Sequence, residues 1–471
     1  MIVPNVRRVT TAAPHAANVQ TLDEPVAYRR AVCATGGLPP TGKSRATRAL
    51  RSTRLLRHRT TVGGDDARAG YPAAIWLLLG GNFVVRGAGF AYPFLAYHVA
   101  GRHHAADAVG AVLAAFGVGW AVGQLLCGWL ADRIGARLTL VSTMLVATAV
   151  LVLMAQACSV PALFFGAVIT GIVYDAPRPV LGAAITDLVP DPERRARLDA
   201  FRFGWVVSIG RAITGGIGGM LVGAVGVPVL FWINAAGCLT FAVVAGCCIP
   251  GHRRRPAAAG PKARNISYRS AFADRRLTLL FASSLATLIA VRGLYAAIPM
   301  LMADRGLGAG QFGWAQLANA LAGLALTPVI TPWVGRKVAA RFHPRLDILA
   351  FAGHWTTVSM GWAALAHTTL DFSLATALST PGEVAWFVIA AGVVHRIAPV
   401  ATGGRYHGIW SMSVAVASVI APILASYSLI HGGHQLVAIV TVSAGVLGAA
   451  LCLPLARTLR KSAPRPARHV A

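Results

Sequence analysis

Charge is what this chain has least of. Only 13% of its 471 residues are Asp, Glu, Lys or Arg, and just 16 are acidic. Stretches 108–131, 138–174, 212–252 and 406–456 carry no charged side chain. So few charges cannot cover a soluble protein of this size, and that class is excluded. Cysteine is also scarce. The seven are scattered, and Cys127, Cys238, Cys247, Cys248 and Cys452 fall inside apolar runs. No metal-type spacing appears, so no metal and no cofactor is expected; these cysteines read as small packing residues. Residues 1–70 lack an apolar core segment, which excludes a cleavable signal peptide there.

What is present is apolar sequence long enough to cross a bilayer many times. A span needs about 20 residues, so the longest charge-free stretches each hold two helices and a turn. Pro161 and the cluster His431-Gly432-Gly433-His434 supply two of the turns. Twelve spans are predicted, near 72–99, 106–131, 138–157, 161–188, 200–223, 226–249, 276–303, 310–335, 346–368, 370–396, 405–431 and 434–457. The domain order follows: a basic, disordered cytoplasmic tail at 1–70, a six-helix bundle at 71–249, a basic cytoplasmic linker at 250–275, a second bundle at 276–457, and a basic tail at 458–471. A misassigned start codon is the competing reading of the first tail.

The net charge of +27 raises a nucleic-acid reading, which the distribution of that charge rejects. Twenty basic residues fall in or beside the five even-to-odd connections expected on one side, against Arg102 and Arg305 on the other. That asymmetry places both termini in the cytoplasm. Arginine outnumbers lysine 39 to 4, which points to a GC-rich prokaryotic genome and a plasma membrane. Gly37 to Ser44 matches the P-loop pattern, but no strand precedes it and two prolines stiffen it; chance is the preferred reading.

The two halves repeat one another. Val85-Arg86-Gly87 with Ala91, Pro93 and Leu95 recurs as Val291-Arg292-Gly293 with Ala297, Pro299 and Leu301, 206 residues on. Asp175 and Glu383 are 208 apart, as are Arg197 and Arg405. Counting depth puts Arg86, Asp175, Arg211, Arg292 and Glu383 near mid-span, where an ionised group costs about 2.5–3.5 kcal/mol. Arg178 lies one turn beyond Asp175 and can pair with it. One reading is a salt-bridge network that only holds helices together. The other is a central cavity whose arginines attract substrate while Asp175 and Glu383 exchange protons. With both carboxylates ionised the four arginines leave +2, which favours anionic or zwitterionic substrates. Tyr92, Tyr295 and Trp386 are candidate walls for an aromatic ligand, with plain packing the alternative.

The sharpest local motif is Gly128-Trp129-Leu130-Ala131-Asp132-Arg133-Ile134-Gly135-Ala136-Arg137. Gly128 allows close helix approach, Asp132 is the charged partner, Gly135 permits a tight turn, and Arg133 and Arg137 hold the loop in the cytoplasm. It resembles the signature loop of the major facilitator superfamily, with Ala136 at one basic position. Segments 83–95, 174–197 and 404–408 resemble its multidrug-resistance-type branch, so the resemblance covers about 72–457. It implies an all-α membrane fold of twelve transmembrane helices in two pseudo-symmetric six-helix bundles, with spans 1, 4, 7 and 10 around the cavity. It also implies a conformational latch at the 2–3 loop, for which Arg405 is the candidate cross-half cation. Two positions depart from the family pattern. The glycine frame of span 5 (Gly210, Thr214-Gly215, Gly218-Gly219) lacks its proline, and Ala167 stands where a basic residue is usual.

His98, His103, His104, His431 and His434 cluster near one face, where titrating loop histidines are preferred over a metal site. His354, inside span 9, reads as a hydrogen-bonded core residue. The sequence therefore predicts no enzyme. It predicts a monomeric, proton-coupled exporter of small organic molecules in the lipid bilayer. The alternatives are proton-symport uptake of an acidic metabolite, and a non-transporting receptor or scaffold on the same fold.

Overall fold

The computed structural model describes residues 73–174, 206–249, 273–339, 345–398 and 403–461, with single positions between 180 and 198. Asp175, Arg178, Arg341 and the two tails lie outside the described residues, as do the side chains of Asp132 and Arg405 and the surroundings of Gly128.

Every regular element among the described residues is an α-helix. In order they are α1 (Ala73–Gly87), α2 (Ala91–Ala100), α3 (Ala106–Ile134), α4 (Ala136–Gln156), α5 (Val160–Tyr174), α6 (Val207–Val225), α7 (Val227–Cys248), α8 (Arg275–Gly293), α9 (Ala297–Asp304), α10 (Ala309–Ala339), α11 (Leu346–Leu365), α12 (Thr369–Ile397) and α13 (Gly403–Lys461). Helices satisfy every backbone group within one segment, which hydrocarbon requires. Nine described helical stretches have the length and apolarity to span, and one of them, Tyr406–Leu459, is long enough for two. With α5 and α11 the segments are consistent with twelve. Glycine sets two of the tight turns. Gly135 (φ 87°) joins α3 to α4, and Gly433 (φ 60°, ψ −157°) divides the 59-residue α13 into two arms.

The first and seventh spans are each broken in two, at corresponding places. α1 stops at Gly87, one residue after Arg86, and α2 resumes at Ala91. α8 stops at Gly293, one residue after Arg292, and α9 resumes at Ala297. Each arginine thus sits in the last turn of a half-helix, where the negative end of the dipole favours a cation. Pro93 and Pro299 fall in the first turn of the resumed segments, where a missing N–H costs least. The repeated phrase is therefore the sequence of a repeated helix break.

Each half packs its own core: Phe231, Phe241, Leu113 and Met144 in the first, Trp386, Ile389, Val393 and Leu280 in the second. A third apolar cluster straddles them and joins Phe90, Phe94 and Leu230 to Ile298, Phe312 and Met360. Phe94 meets Phe312 edge-on at 5.7 Å, and the Tyr97 hydroxyl donates to the Leu307 carbonyl at 3.2 Å. Backbones come close across the same junction. A Cβ on Gly219 of α6 would lie 2.8 Å from the Gly313 Cα of α10, and one on Gly117 of α3 would lie 2.5 Å from the Ser418 carbonyl oxygen of α13. Gly215 against Leu317 and Gly110 against Ser426 continue these seams. The seal lies towards the end that carries turns 101–105, 305–308 and Gly433, away from the Gly135 turn. Leu125, Leu153 and Met220, all 68% or more exposed, belong to the outer apolar belt that lipid covers.

Candidate functional site

Just inside the seal, charged and aromatic side chains from the two halves meet. Arg211, on α6, faces Glu383, on α12, with Nη1 3.9 Å from Oε1. The Glu383 side chain is 15% exposed and that of Arg211 36%, so the pair borders open space. That space is a small polar cavity lined by Ser208, Arg211, Asn319, Thr327, Thr380 and Glu383. Asn319 donates to the Thr380 hydroxyl at 3.0 Å and to the Thr376 carbonyl at 3.1 Å, which fixes this polar wall. A second cavity lies between helices of the second half; Met360, Leu424 and Val437 line it, and it touches none of the charged groups. The chemistry belongs to the polar cavity, because fixed charges and hydrogen-bonding groups converge there.

Tyr295, in the break between α8 and α9, links this pair to a second group by standing beside both Arg211 and Arg292. Arg292 Nη2 donates to the Tyr92 hydroxyl at 3.1 Å. Its guanidinium carbon lies 5.1 Å from the Trp120 ring centre and 5.6 Å from those of Tyr92 and Tyr295. The two tyrosine rings are 5.4 Å apart, and Phe116 stacks on Tyr92 at 4.4 Å. Arg292 Nε is buried without an acceptor, and no carboxylate faces this arginine among the described residues. Arg292 is partly exposed, and ring faces give such a cation about 0.5–2 kcal/mol. The shielded Nε–H without an acceptor costs about 1–3 kcal/mol.

The links of this array cross between halves. Arg211, Tyr92 and Trp120 come from the first, and Glu383, Arg292 and Tyr295 from the second. Arg86 lies against α6 one residue before Arg211: a Cβ on Gly210 would be 2.9 Å from the Arg86 Cβ. The missing side chain at Gly210 is what lets the two helices approach there.

Several residues fall elsewhere than expected. Trp386 is a core residue, 1% exposed, packed against Phe387 at 5.0 Å and Trp410 at 6.4 Å. It shares a helix with Glu383 but points into the second bundle, so it is no wall of the polar cavity. His98 is no loop histidine. It is 2% exposed within α2, bonded to the Met154 carbonyl at 2.9 Å and lying over Phe231. His434 contacts Asp304 at 2.9 Å, a pair of one histidine and one carboxylate; no metal-holding cluster occurs among the described residues. At the 2–3 loop, Gly135 makes the turn, the Arg133 guanidinium lies 5.0 Å over the Trp129 ring, and Arg137 is exposed. Arg405 lies in the first turn of α13.

Six site residues escaped the sequence reading: Phe116, Trp120, Ser208, Asn319, Thr327 and Thr380. A signal existed for three of them. Phe116 and Trp120 are one helical turn apart and share a face, and Gln316 with Asn319 repeats that spacing in an otherwise apolar span. Gln316 is 1% exposed and bonds Thr214 of α6 at 3.3 Å, so it too joins the halves.

Comparison with known proteins adds the family. Residues 77–382 match the model of the Major Facilitator Superfamily. Among solved structures, the chain is similar to the nucleoside transporter NupG at 12% identity and TM-score 0.65, over 81% of this chain and 98% of that one. A peptide transporter POT in complex with sulfate gives 15% identity and TM-score 0.66, over 83% and 96%. A bacterial homolog of the human lysosomal transporter Spinster, inward-facing and unoccupied, gives 16% and 0.62, over 84% and 98%. At these identities the likeness concerns the fold.

Proposed function

The chain belongs to the major facilitator superfamily, a multi-pass membrane transporter and not an enzyme, and on that footing we propose that it exports small organic molecules in exchange for protons by alternating access. The Arg211–Glu383 pair carries this reading, because it joins the two halves inside a polar cavity at mid-membrane. A proton on Glu383 cancels its charge, frees Arg211, and removes one tie between the halves. Rocking of one half against the other then presents the cavity to the opposite side. Asp175, the repeat partner of Glu383, is assigned the companion proton site on sequence register, with Arg178 beside it. The 2–3 loop and Arg405 form the latch in this scheme. Export, the multidrug-type branch, a plasma-membrane location, cytoplasmic termini and a monomeric state come from the motifs and the positive-inside asymmetry.

The second reading, proton-symport uptake of an acidic metabolite, is favoured by one observation: Arg292 Nε is buried without an acceptor, and no carboxylate pairs with this arginine among the described residues. Everted membrane vesicles with a pH-sensitive dye distinguish the two. Export predicts that an added solute drives protons out of acid-loaded everted vesicles, whereas symport predicts that solute and protons move in the same direction. Glu383→Gln and Asp175→Asn abolish solute-driven proton movement on either reading. Wild-type-like coupled flux in both single variants and in the double variant removes these carboxylates from the mechanism.

A further inference from the structure

The geometry points to Arg292 and the rings around it as the binding site for an organic anion that carries a planar aromatic ring. This rests on the transport reading above and names the class of its substrate. Four observations support it. Arg292 Nε is shielded from solvent and unpaired, and only Nη2 is engaged, by Tyr92. A guanidinium in that state lacks the oxyanion that its planar donors fit best. No carboxylate pairs with this arginine among the described residues, so an anionic group would complete its contacts. Tyr92, Trp120 and Tyr295 surround it with ring faces, which an inorganic anion or a saturated acid would not use. Tyr295 also reaches Arg211, so the clasp is continuous with the polar cavity from which a ligand arrives.

The clasp also explains how such a ligand acts on the conformational cycle. Tyr92 and Trp120 belong to the first half, Arg292 and Tyr295 to the second. In the closed arrangement the guanidinium of Arg292 is ringed by aromatic faces and its Nε is shielded from water. Parting the halves returns water to it. An anion bound at Arg292 supplies the missing charge in the closed arrangement, and so favours closure over the substrate. An organic cation faces the opposite balance, because Arg292 already occupies the ring faces. To bind the rings it must expel Arg292 from them.

The test is equilibrium binding of radiolabelled benzoate to purified full-length protein at one fixed pH, with no gradient. Competitors are 1-naphthoate, cyclohexanecarboxylate and benzylammonium. Naphthoate is expected to compete at least as well as benzoate, cyclohexanecarboxylate more weakly, and benzylammonium not at all. Arg292→Gln is expected to weaken benzoate binding about ten- to a hundredfold, the loss of one charge-assisted contact, and Arg292→Lys to restore part of it. Trp120→Leu leaves the charge in place; it should erase the preference for benzoate over cyclohexanecarboxylate, which keeps the test decisive if Arg292→Gln fails to insert. Absence of saturable arylcarboxylate binding to the wild type overturns the proposal. So does unchanged binding in Arg292→Gln, or displacement by benzylammonium, which would mark the rings as an organic-cation cage. No proton flux is involved, so benzoate binding without solute-driven proton movement refutes the coupling and leaves this site standing. Coupled flux of some solute without benzoate binding does the reverse.

Discussion

Glu383→Gln tests the reasoning most directly, because the pair it breaks lies between the two halves. At 3.9 Å, opposite unit charges attract by about 4 kcal/mol at an effective dielectric near 20. Arg211 keeps 36% of its side chain exposed, so water screens part of this and about 1–2 kcal/mol remains as a net tie. The tie exists only while the halves are together at that depth. Removing it shifts the equilibrium between closed and parted arrangements by about tenfold towards parted. Ser426 reports the shift, since it faces Gly110 across the seal and is 6% exposed. With exposed Cys158 replaced by serine, a Ser426→Cys variant should label slowly with a membrane-impermeant maleimide. Adding Glu383→Gln, or Arg211→Gln, should speed labelling about tenfold. In the double variant the two effects should fall well short of additive, because both act on one contact. Labelling unchanged in both single variants, or additive acceleration in the double, would refute the claim that this pair holds the halves together.

Further expectations follow from the same contacts. Tyr92→Phe deletes the hydroxyl that Arg292 Nη2 reaches at 3.1 Å and should loosen the seal by about 1 kcal/mol, read as faster Ser426→Cys labelling; slower labelling would contradict it. Gly313→Val places a side chain against the Gly219 backbone, so closure should fail and transport stop while circular dichroism stays helical; retained transport would show that the seam is not a working seal. Asp274 caps α8 and accepts hydrogen bonds from Arg276 and from the Tyr406 hydroxyl of α13. Burial pushes its carboxyl up, but the hydrogen bonds from Arg276 and Tyr406 outweigh this and hold it below its ordinary value near 3.8. A depressed carboxylate contributes stability above its unfolded pKa and loses it as pH falls through the folded one. Asp274→Ala should therefore lower the thermal midpoint near neutral pH, by the equivalent of about 1 kcal/mol. The difference should shrink once the pH drops below about 4, and a difference constant across that range would refute the assignment.

Parts of the site were legible before any coordinates. The Val-Arg-Gly phrase with its following proline fixed the positions of Arg86 and Arg292, since a helix dipole and an N-terminal proline act within one turn. Mid-span depth identified Arg211 and Glu383 as costly and therefore purposeful. Their pairing was not legible, because Asp175 with Arg178 was the nearest local solution and helices five spans apart give no sequence signal of contact. Trp386 shows the opposite error. It stood as a candidate wall of the cavity, yet three residues beyond Glu383 on α12 its indole enters the core of the second bundle.

Sequence alone determined that this chain is a bundle of membrane helices in two related halves, with a basic side and buried arginines at repeated helix ends. Those features are set by local physics: hydrocarbon demands internally bonded helices, and Gly or Pro decides where they stop. Only the tertiary structure decided which charge meets which. The choice of Glu383 for Arg211, and of aromatic rings instead of a carboxylate for Arg292, depends on how two separately folded bundles dock along their glycine seams. That docking is a property of surfaces assembled from distant segments, which no local pattern encodes.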